Sequence, residues 1–528
     1  MPKKMWLLLP FSGVLMGVGV AFSAVGFLCW LAPVPAMLFF FRAAGDRSFR
    51  LRRLYLAGFV FFFSFYLTLY HWFLALYPLE FMGISKAEAV PVVAICWLGL
   101  SLLQTVFSAL VLPLFGALCR TRLIGERPML VPLLFAAQWT VSEWSQTLTF
   151  AGVPWGRLSL SQIDYGFLSG SASLFGSYAI TLCILLVSGY LALAILSRPR
   201  VRLSLILAAS VFLLNALCGM AVYLATDEQA GTPVKVAAVQ GNVGSDLKWT
   251  LDSRMRTYEI YARYTKEAAQ AGAEIVLFPE TFVPETVREG SALATFVSEL
   301  ASRYEITVYF GAFSRDAEGR EYNAVFEVRP DGTINENVYA KRHLVPFGEY
   351  VPWRPLVEAV LPMLAELGML TDDLTPGTDS ALFEHEKGSI GTLICFDSIY
   401  ESLTLSGVRD GAELILLPTN DSWFTDSAAV YMHESQARLR AVESGRWIVR
   451  AADTGISALI SPNGRPYEEQ GALVEGMAMG TVYLNDARTL YSYIGNSLVY
   501  VLIGAVLSLP LLELFLFRRK KALLTDPQ

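Results

Sequence analysis

The sequence predicts a multi-span membrane protein that carries one large soluble domain, a sandwich of sheet and helix. Three observations predict it. The composition is 54% hydrophobic and only 17% charged, with a mean hydropathy of +0.45. The apolar residues crowd into the first ~225 positions and a short stretch near the C-terminus, while the middle has the composition of an ordinary globular domain. The basic residues outside that middle sit in short clusters between apolar runs, where they report topology.

A helix needs about 20 apolar residues to cross the hydrocarbon core. Eight runs approach or exceed that length, near 5–22, 24–41, 54–76, 89–117, 129–148, 171–196, 203–224 and 493–516. Basic clusters occur at Lys3 and Lys4, Arg42 to Arg53, Arg120 to Arg127, Arg198 to Arg202 and Arg518 to Lys521. The other short loops carry only Lys86 and Arg157. Cytoplasmic loops are enriched in Lys and Arg, so eight spans with both termini in the cytoplasm satisfy the alternation. The expected organisation is a seven-helix membrane region over 1–224, a soluble domain over 225–490 outside the cytoplasm, and a last span with a cytoplasmic tail over 491–528. The first run is not followed by a small-residue cleavage site, so it is expected to be a retained helix.

The soluble region alternates strand and helix signals. Short β-rich runs are Val234–Val239, Glu274–Phe278, Ile306–Phe313, Asn323–Arg329, Ile390–Cys395, Glu413–Leu417, Trp447–Ala451, Ile456–Ile460 and Thr481–Leu484. A strong helical segment, Leu251–Ala271, separates the first two, and Pro-Asp-Gly at 330–332 and Pro-Asn-Gly at 462–464 mark turns. Runs apolar on both faces with helices between them favour a sheet-and-helix sandwich over an all-β domain.

A net charge of −6 gives no electrostatic reason to expect nucleic acid. No histidine–carboxylate cluster has metal-ligand spacing, so no metal or cofactor is expected. Of the six cysteines, Cys29, Cys96, Cys119, Cys183 and Cys218 lie in or beside apolar segments and read as small packing residues. Cys395 alone falls in the soluble region, which forbids a disulfide within it and marks the thiol as a candidate reactive group.

Three polar residues each follow a β-rich run: Glu280 after Ile-Val-Leu-Phe-Pro, Lys341 after Val-Tyr-Ala, and Cys395 after Ile-Gly-Thr-Leu-Ile. Residues at strand ends are placed to converge above a sheet. A thiol with a pKa of about 8.5 needs a base or a cation beside it to become an effective nucleophile. Glu280 suits the base, and the Lys341 ammonium suits stabilisation of a thiolate and then of an oxyanion. His343 and His433 are expected to be structural hydrogen-bonding groups, and His385 a solvated loop residue; a Cys395–His343 pairing stays open at this stage.

The segments Phe-Pro-Glu (278–280), Lys-Arg-His-Leu-Val-Pro-Phe-Gly-Glu-Tyr-Val-Pro (341–352) and Leu-Ile-Cys-Phe-Asp (393–397) resemble the three signatures of the nitrilase superfamily. That resemblance implies a Glu–Lys–Cys triad on an α-β-β-α sandwich. With the flanking helices, the whole chain resembles the apolipoprotein N-acyltransferase family, in which eight membrane helices carry a nitrilase-like domain between the seventh and the eighth. Trp249, Glu349, Pro154-Trp155, Ser161-Gln162, the stretch from Asn420 to Phe424, and Glu443 to Arg446 match further segments of that family. The resemblance implies that Glu349 lies near the lysine and that Trp249 is functionally important. The chain departs from the family pattern at Phe396-Asp397, where Tyr-Glu is usual, and at Asp453, where Asn is expected.

The implied reaction is ping-pong acyl transfer from a membrane phospholipid, through a Cys395 thioester, to the α-amine of the diacylglyceryl cysteine of an apolipoprotein. The implied location is a bacterial inner membrane with the catalytic domain periplasmic, and a monomer suffices because one chain supplies the triad. The apolar stretch from Trp353 through Met363 to Leu370 reads either as a buried helix or as an amphipathic arm that admits acyl chains. Trp423 and Phe424 are candidates for the same apolar wall. Glu143, an acid near the outer end of an apolar run, reads either as a functional intramembrane acid or as a structural hydrogen-bonding group to a neighbouring helix. Two competing readings are a membrane-tethered amidohydrolase using the same triad, which Asp397 favours, and a transporter, which the scarcity of buried charge in the apolar runs opposes.

Overall fold

A computed structural model describes residues 2–79, 84–149, 152–244, 251–360 and 373–525. The chain divides into two compact units, Met1–His71 with Ile95–Tyr223 and Ile494–Gln528, and Trp72–Ala94 with Leu224–Tyr493.

Among the described residues, seven helices are long and apolar enough to cross a membrane: Lys3–Ala21, Ser23–Gly45, Leu51–Leu69, Lys86–Cys119, Ser177–Leu196, Arg198–Ala225 and Ser497–Phe515. Each corresponds to one of the expected runs. The run expected at 129–148 forms a shorter helix, Val131–Ser145, whose 15 residues rise roughly 22 Å. In the first unit, small residues let helices pack backbone to backbone. A Cβ on Gly13 would fall 2.5 Å from the Phe61 carbonyl oxygen of helix Leu51–Leu69. Glu143, buried on the short helix, accepts hydrogen bonds from Leu158 N at 2.7 Å and from Thr181 Oγ1 of helix Ser177–Leu196 at 2.6 Å. That is the structural role its position suggested.

The second unit is built on two six-stranded sheets. The first contains β1 (Thr232–Gln240), β2 (Ile275–Leu277), β3 (Thr307–Arg315), β4 (Glu321–Val328), β5 (Tyr339–Ala340) and β12 (Gly476–Leu484), in the order β12-β1-β2-β3-β4-β5. The second contains β6 (Phe383–His385), β7 (Gly388–Thr392), β8 (Leu414–Thr419), β9 (Ile448–Ala452), β10 (Ala458–Ile460) and β11 (Pro466–Tyr467), in the order β11-β10-β9-β8-β7-β6. All nine β-rich runs read from the sequence overlap one of these strands. β5 lies in the run Val-Tyr-Ala read before Lys341, and the two that were not read, β6 and β11, are only three and two residues long.

Alternation along each strand assigns its faces. On β1, Val234, Val236 and Ala238 join Ile275, Leu277, Leu414, Leu416 and Val449 in a core between the sheets. Ala237 and Val239 point the other way, into a second core with Tyr261, Leu293 and Val297 from helices Leu251–Gln270 and Ala292–Tyr304. Helices Glu401–Asp410 and Ala428–Ser444 pack on the second sheet. Both faces of each sheet are therefore covered, which is why the central strands are largely apolar.

Strand direction then decides where the chemistry sits. β1, β2 and β3 are parallel, β4 is antiparallel to β3, and β5 is antiparallel to β4. β5 thus runs with β2, and the residues following both emerge at one edge. In the second sheet β7, β8 and β9 are parallel, so the segments after them share an edge too. Ligand sites in such sheets gather at the carboxyl ends of parallel strands.

Gly311 on β3 lets the chain leave β2 closely: a Cβ there would lie 2.7 Å from Pro279 O, Glu280 Cα and Thr281 N. Gly311→Ala is expected to cost about 1–3 kcal/mol by overpacking, read as a lower thermal unfolding midpoint of the purified protein. An unchanged midpoint would show that the backbone at Glu280 yields freely.

Candidate active site

Glu280, Lys341 and Cys395, widely separated in sequence, meet at the strand-end edge. The Phe278 N–H donates to Tyr309 O at 2.8 Å and the Gly311 N–H to Pro279 O at 3.2 Å, so pairing with β3 continues past β2 and carries Glu280 to its place. Lys341 follows β5 directly, and its N–H donates to Asn323 O at 2.8 Å. Its side chain is only 1% exposed, and its ammonium lies 2.8 Å from Glu280 Oε1 and 2.9 Å from Glu349 Oε2. Burial pulls the ammonium's pKa down, but the two carboxylates more than offset this and hold it well above its ordinary value. Glu349, named in the sequence for this neighbourhood, is therefore the second carboxylate of the lysine, and its Oε2 also accepts from Val345 N at 2.8 Å.

Cys395 opens a 3-10 turn, Cys395–Ile399, after β7. Its φ of +48° is left-handed, a conformation that costs a non-glycine residue on the order of 1–2 kcal/mol. Such strain persists only where the surroundings enforce it. Here they do. The Cys395 carbonyl accepts from Ser398 Oγ at 2.7 Å and lies 3.1 Å from His433 Nε2. His433 Nδ1 is 2.7 Å from Asp421 Oδ1, and Asp421 Oδ2 accepts from the buried Arg450 guanidinium at 2.6 Å. His433 is thus a structural support beneath the cysteine, as expected.

Asn420, just after β8, joins the acid to the thiol. Its N–H donates to Glu280 Oε2 at 2.9 Å, and its carbonyl lies 3.9 Å from Cys395 Sγ. Burial pushes the Cys395 thiol well above its ordinary range, the Glu280 charge pushes further, and Lys341 pulls back. A thiol so placed stays protonated at rest and needs a base to react.

Asp397 is fully buried and faces backbone. Its Oδ1 accepts from His343 N at 2.8 Å and Arg342 N at 3.3 Å, while Oδ2 accepts from Tyr339 Oη at 2.8 Å and Ile394 N at 3.1 Å. It therefore ties the segment around Lys341 to the turn that carries Cys395. Burial raises its pKa to about 6, against the lowering effects of Lys341 and of these donors. Phe396 packs its ring edge-on to Tyr400, centroids 5.7 Å apart, and Tyr400 lies against His343 at 3.8 Å.

The remaining candidates are less closely tied to this cluster. Trp353 is 68% exposed, beside the short helix Arg354–Val360 that begins the suggested arm. Phe424 packs on Trp72 at 5.2 Å, and Trp423 beside it is half-buried. Trp249, Met363 and Leu370 lie outside the described residues. The sequence reading missed Asn323, whose Nδ2 donates to Glu280 Oε1 and to Glu349 Oε1, both at 2.7 Å. The signal available was an amide heading the apolar stretch Ala324–Phe326 of β4.

Cys395, Asp421 and His433 present ligand-type atoms within 4.8 Å of one another. Their chemistry does not fit a metal, because the Arg450 cation occupies Asp421 and both His433 ring nitrogens are within hydrogen-bond distance of protein oxygens.

The carbon-nitrogen hydrolase family matches residues 235–491, and the apolipoprotein N-acyltransferase N-terminal domain matches residues 12–190. A protein of Gloeobacter violaceus named apolipoprotein N-acyltransferase is 32% identical over 92% of this chain and 89% of its own length. This chain belongs to the apolipoprotein N-acyltransferase family. A Geobacter metallireducens protein of the same name is 28% identical over 98% of this chain and 96% of its own length. Among solved structures, Saccharomyces cerevisiae Nit3, a nitrilase-superfamily member, aligns at 20% identity and a TM-score of 0.39, covering 50% of this chain and 93% of Nit3. Membership of the apolipoprotein N-acyltransferases and the two-sheet nitrilase-like domain agree with the resemblance in the sequence.

The Asp397 bonds give a pH prediction. Only the ionised carboxyl can accept from all four donors, so kcat/KM is expected to fall as pH drops through about 6, where this group takes up its proton. Asp397→Asn should lower the rate tenfold or more, roughly the loss expected when buried donors are left mispaired, and should abolish that acid limb. The same limb persisting in the Asn variant would assign it to another group.

Proposed function

We propose that this chain takes an acyl chain from a membrane phospholipid and transfers it to the α-amine of the N-terminal diacylglyceryl cysteine of an apolipoprotein, completing lipoprotein maturation. The observation that supports this most directly is the buried set Glu280, Lys341 and Cys395, with Asn420 touching both the acid and the sulfur.

In the first half-reaction Glu280 takes the thiol proton as Cys395 attacks the ester carbonyl. The oxyanion is held by the Lys341 ammonium and backbone amides near Cys395. Collapse breaks the ester C–O bond, Glu280 returns the proton to the lysophospholipid hydroxyl, and a thioester remains. In the second half the incoming amine attacks the thioester, loses a proton to Glu280, and expels the thiolate as the amide forms. A thioester suits this role because thiolate leaves readily toward an amine. Glu349 assists by keeping the lysine charged, and Trp353, Met363, Leu370, Trp423 and Phe424 are proposed to contact acyl chains. Trp249 and Phe396 are proposed to flank the reacting groups. The enzyme needs no metal or cofactor for these steps and acts as a monomer.

The topology proposed is eight spans, with both termini cytoplasmic and the catalytic domain periplasmic at a bacterial inner membrane. The basic clusters Arg120 to Arg127 and Arg198 to Arg202 fall on one side only if helix Val131–Ser145 crosses together with Ser177–Leu196. A shorter helix can cross by thinning the bilayer locally.

The amidohydrolase reading uses the same residues with water as the acceptor, so one assay separates the two. Purified protein with phospholipid and a diacylglyceryl peptide is expected to yield N-acylated peptide and lysophospholipid in equal amounts. Cys395→Ser and Glu280→Gln should each lower that rate by about three orders of magnitude while the protein stays folded. Neither lysophospholipid nor acylated peptide, with ammonia released when a small amide is supplied in their place, would instead favour the amidohydrolase.

A further inference from the structure

Asn323 stands near the start of β4, opposite Phe313 of β3. Since β4 runs against β3, its beginning lies at the edge where β2 and β5 end. The side chain is nearly buried, at 3% exposure. Its Nδ2 group sends one hydrogen to Glu280 Oε1 and the other to Glu349 Oε1, each at 2.7 Å. With Lys341 Nζ bridging Glu280 Oε1 and Glu349 Oε2, a closed ring of two carboxylates, one ammonium and one amide results.

The orientation of that amide is chemically determined. Turned over, its carbonyl oxygen would face two carboxylate oxygens, with no proton between them. In the observed orientation Oδ1 is buried with no hydrogen-bond partner among the described residues. A buried polar atom left unpaired costs free energy and calls for a reason. The reason lies at the other end of the group, in its two hydrogens.

The two oxygens of Glu280 are then unequal. Oε1 accepts from both Lys341 Nζ and Asn323 Nδ2. Oε2 accepts only from Asn420 N among the described residues, and Asn420 is also the residue whose carbonyl lies by the Cys395 sulfur. We propose that Asn323 is a positioning residue that saturates Glu280 Oε1 and so reserves Oε2 as the oxygen that exchanges protons with Cys395. Being neutral, it does this without adding a charge to a cluster in which two carboxylates already face one lysine. The inference rests on Glu280 being the base, not on the identity of the acyl donor or acceptor.

The test therefore needs no lipid. Alkylation of Cys395 by iodoacetamide is followed against pH by peptide mass spectrometry, which separates it from the five cysteines of the apolar segments. Among the described residues, the charged and titratable groups bearing on the site are Glu280, Lys341, Glu349, Asp397, Asp421, His433 and Arg450, and the variants leave all of them in place. A hydrogen bond to a carboxylate favours its ionised form, and a like charge beside it disfavours that form. Asn323→Ala should move the acid limb of alkylation to higher pH. Asn323→Asp, which adds a third carboxylate, should move it further, by about one pH unit or more. Both variants should slow acyl-enzyme formation at least tenfold at neutral pH with little change in KM for phospholipid. A role in holding β4 alone would lower the yield of folded protein without this graded shift. Alkylation profiles of both variants that superpose on that of the unaltered protein would overturn the proposal. Failure of acyl transfer in the unaltered protein, with the graded shift intact, would overturn the proposed function and leave this inference standing.

Discussion

A lysine ammonium removed almost completely from water keeps its charge only if carboxylates replace the lost solvation. Lys341 meets that condition with two, Glu280 and Glu349, at 2.8 and 2.9 Å. The rest of the second unit follows from this constraint. The strands must deliver both acids and the base to one edge, the surrounding core must exclude water, and the acids must be held apart by something other than a second cation. Asn323 supplies that separation. Burial pushes the thiol beside this cluster well above its ordinary range, and the Glu280 charge pushes further while Lys341 pulls back.

Cys395 is held by a different device. Its left-handed backbone is braced from below by Ser398 and the His433–Asp421–Arg450 chain, and from the side by Asp397. Asp397 bonds to backbone on both sides of the site, so it sets the spacing between lysine and cysteine instead of facing substrate. This bears on the departure at Phe396-Asp397. Within the distances seen here a two-carbon acid reaches its four donors, and a longer one at the same place would need the two segments to stand further apart.

How much of this was readable in the sequence differs by element. The central strands and the three strand-end residues were readable, because strands covered on both faces are largely apolar and end abruptly at Glu280, Lys341 and Cys395. The edge strands β6 and β11 were not, since two or three residues carry no periodicity. The run at 129–148 was apolar enough to suggest a full span, yet its helix is confined to Val131–Ser145. Asn323 escaped because its partners Glu280 and Glu349 lie 43 and 26 residues away, so no local pattern marks which acids it meets. Phe396-Asp397 was visible as a departure, while its consequence needed the hydrogen bonds.

The central claim is that Cys395 carries the acyl chain between two substrates, and intact-protein mass spectrometry in a single turnover tests it most directly. Protein mixed with a phospholipid of one defined acyl chain should gain the mass of that chain on Cys395. The adduct should be cleaved by hydroxylamine and should vanish, with N-acylated product, when a diacylglyceryl peptide is added. Formation of acylated peptide with no adduct on Cys395 at any time, or an adduct that the peptide does not discharge, would contradict the account.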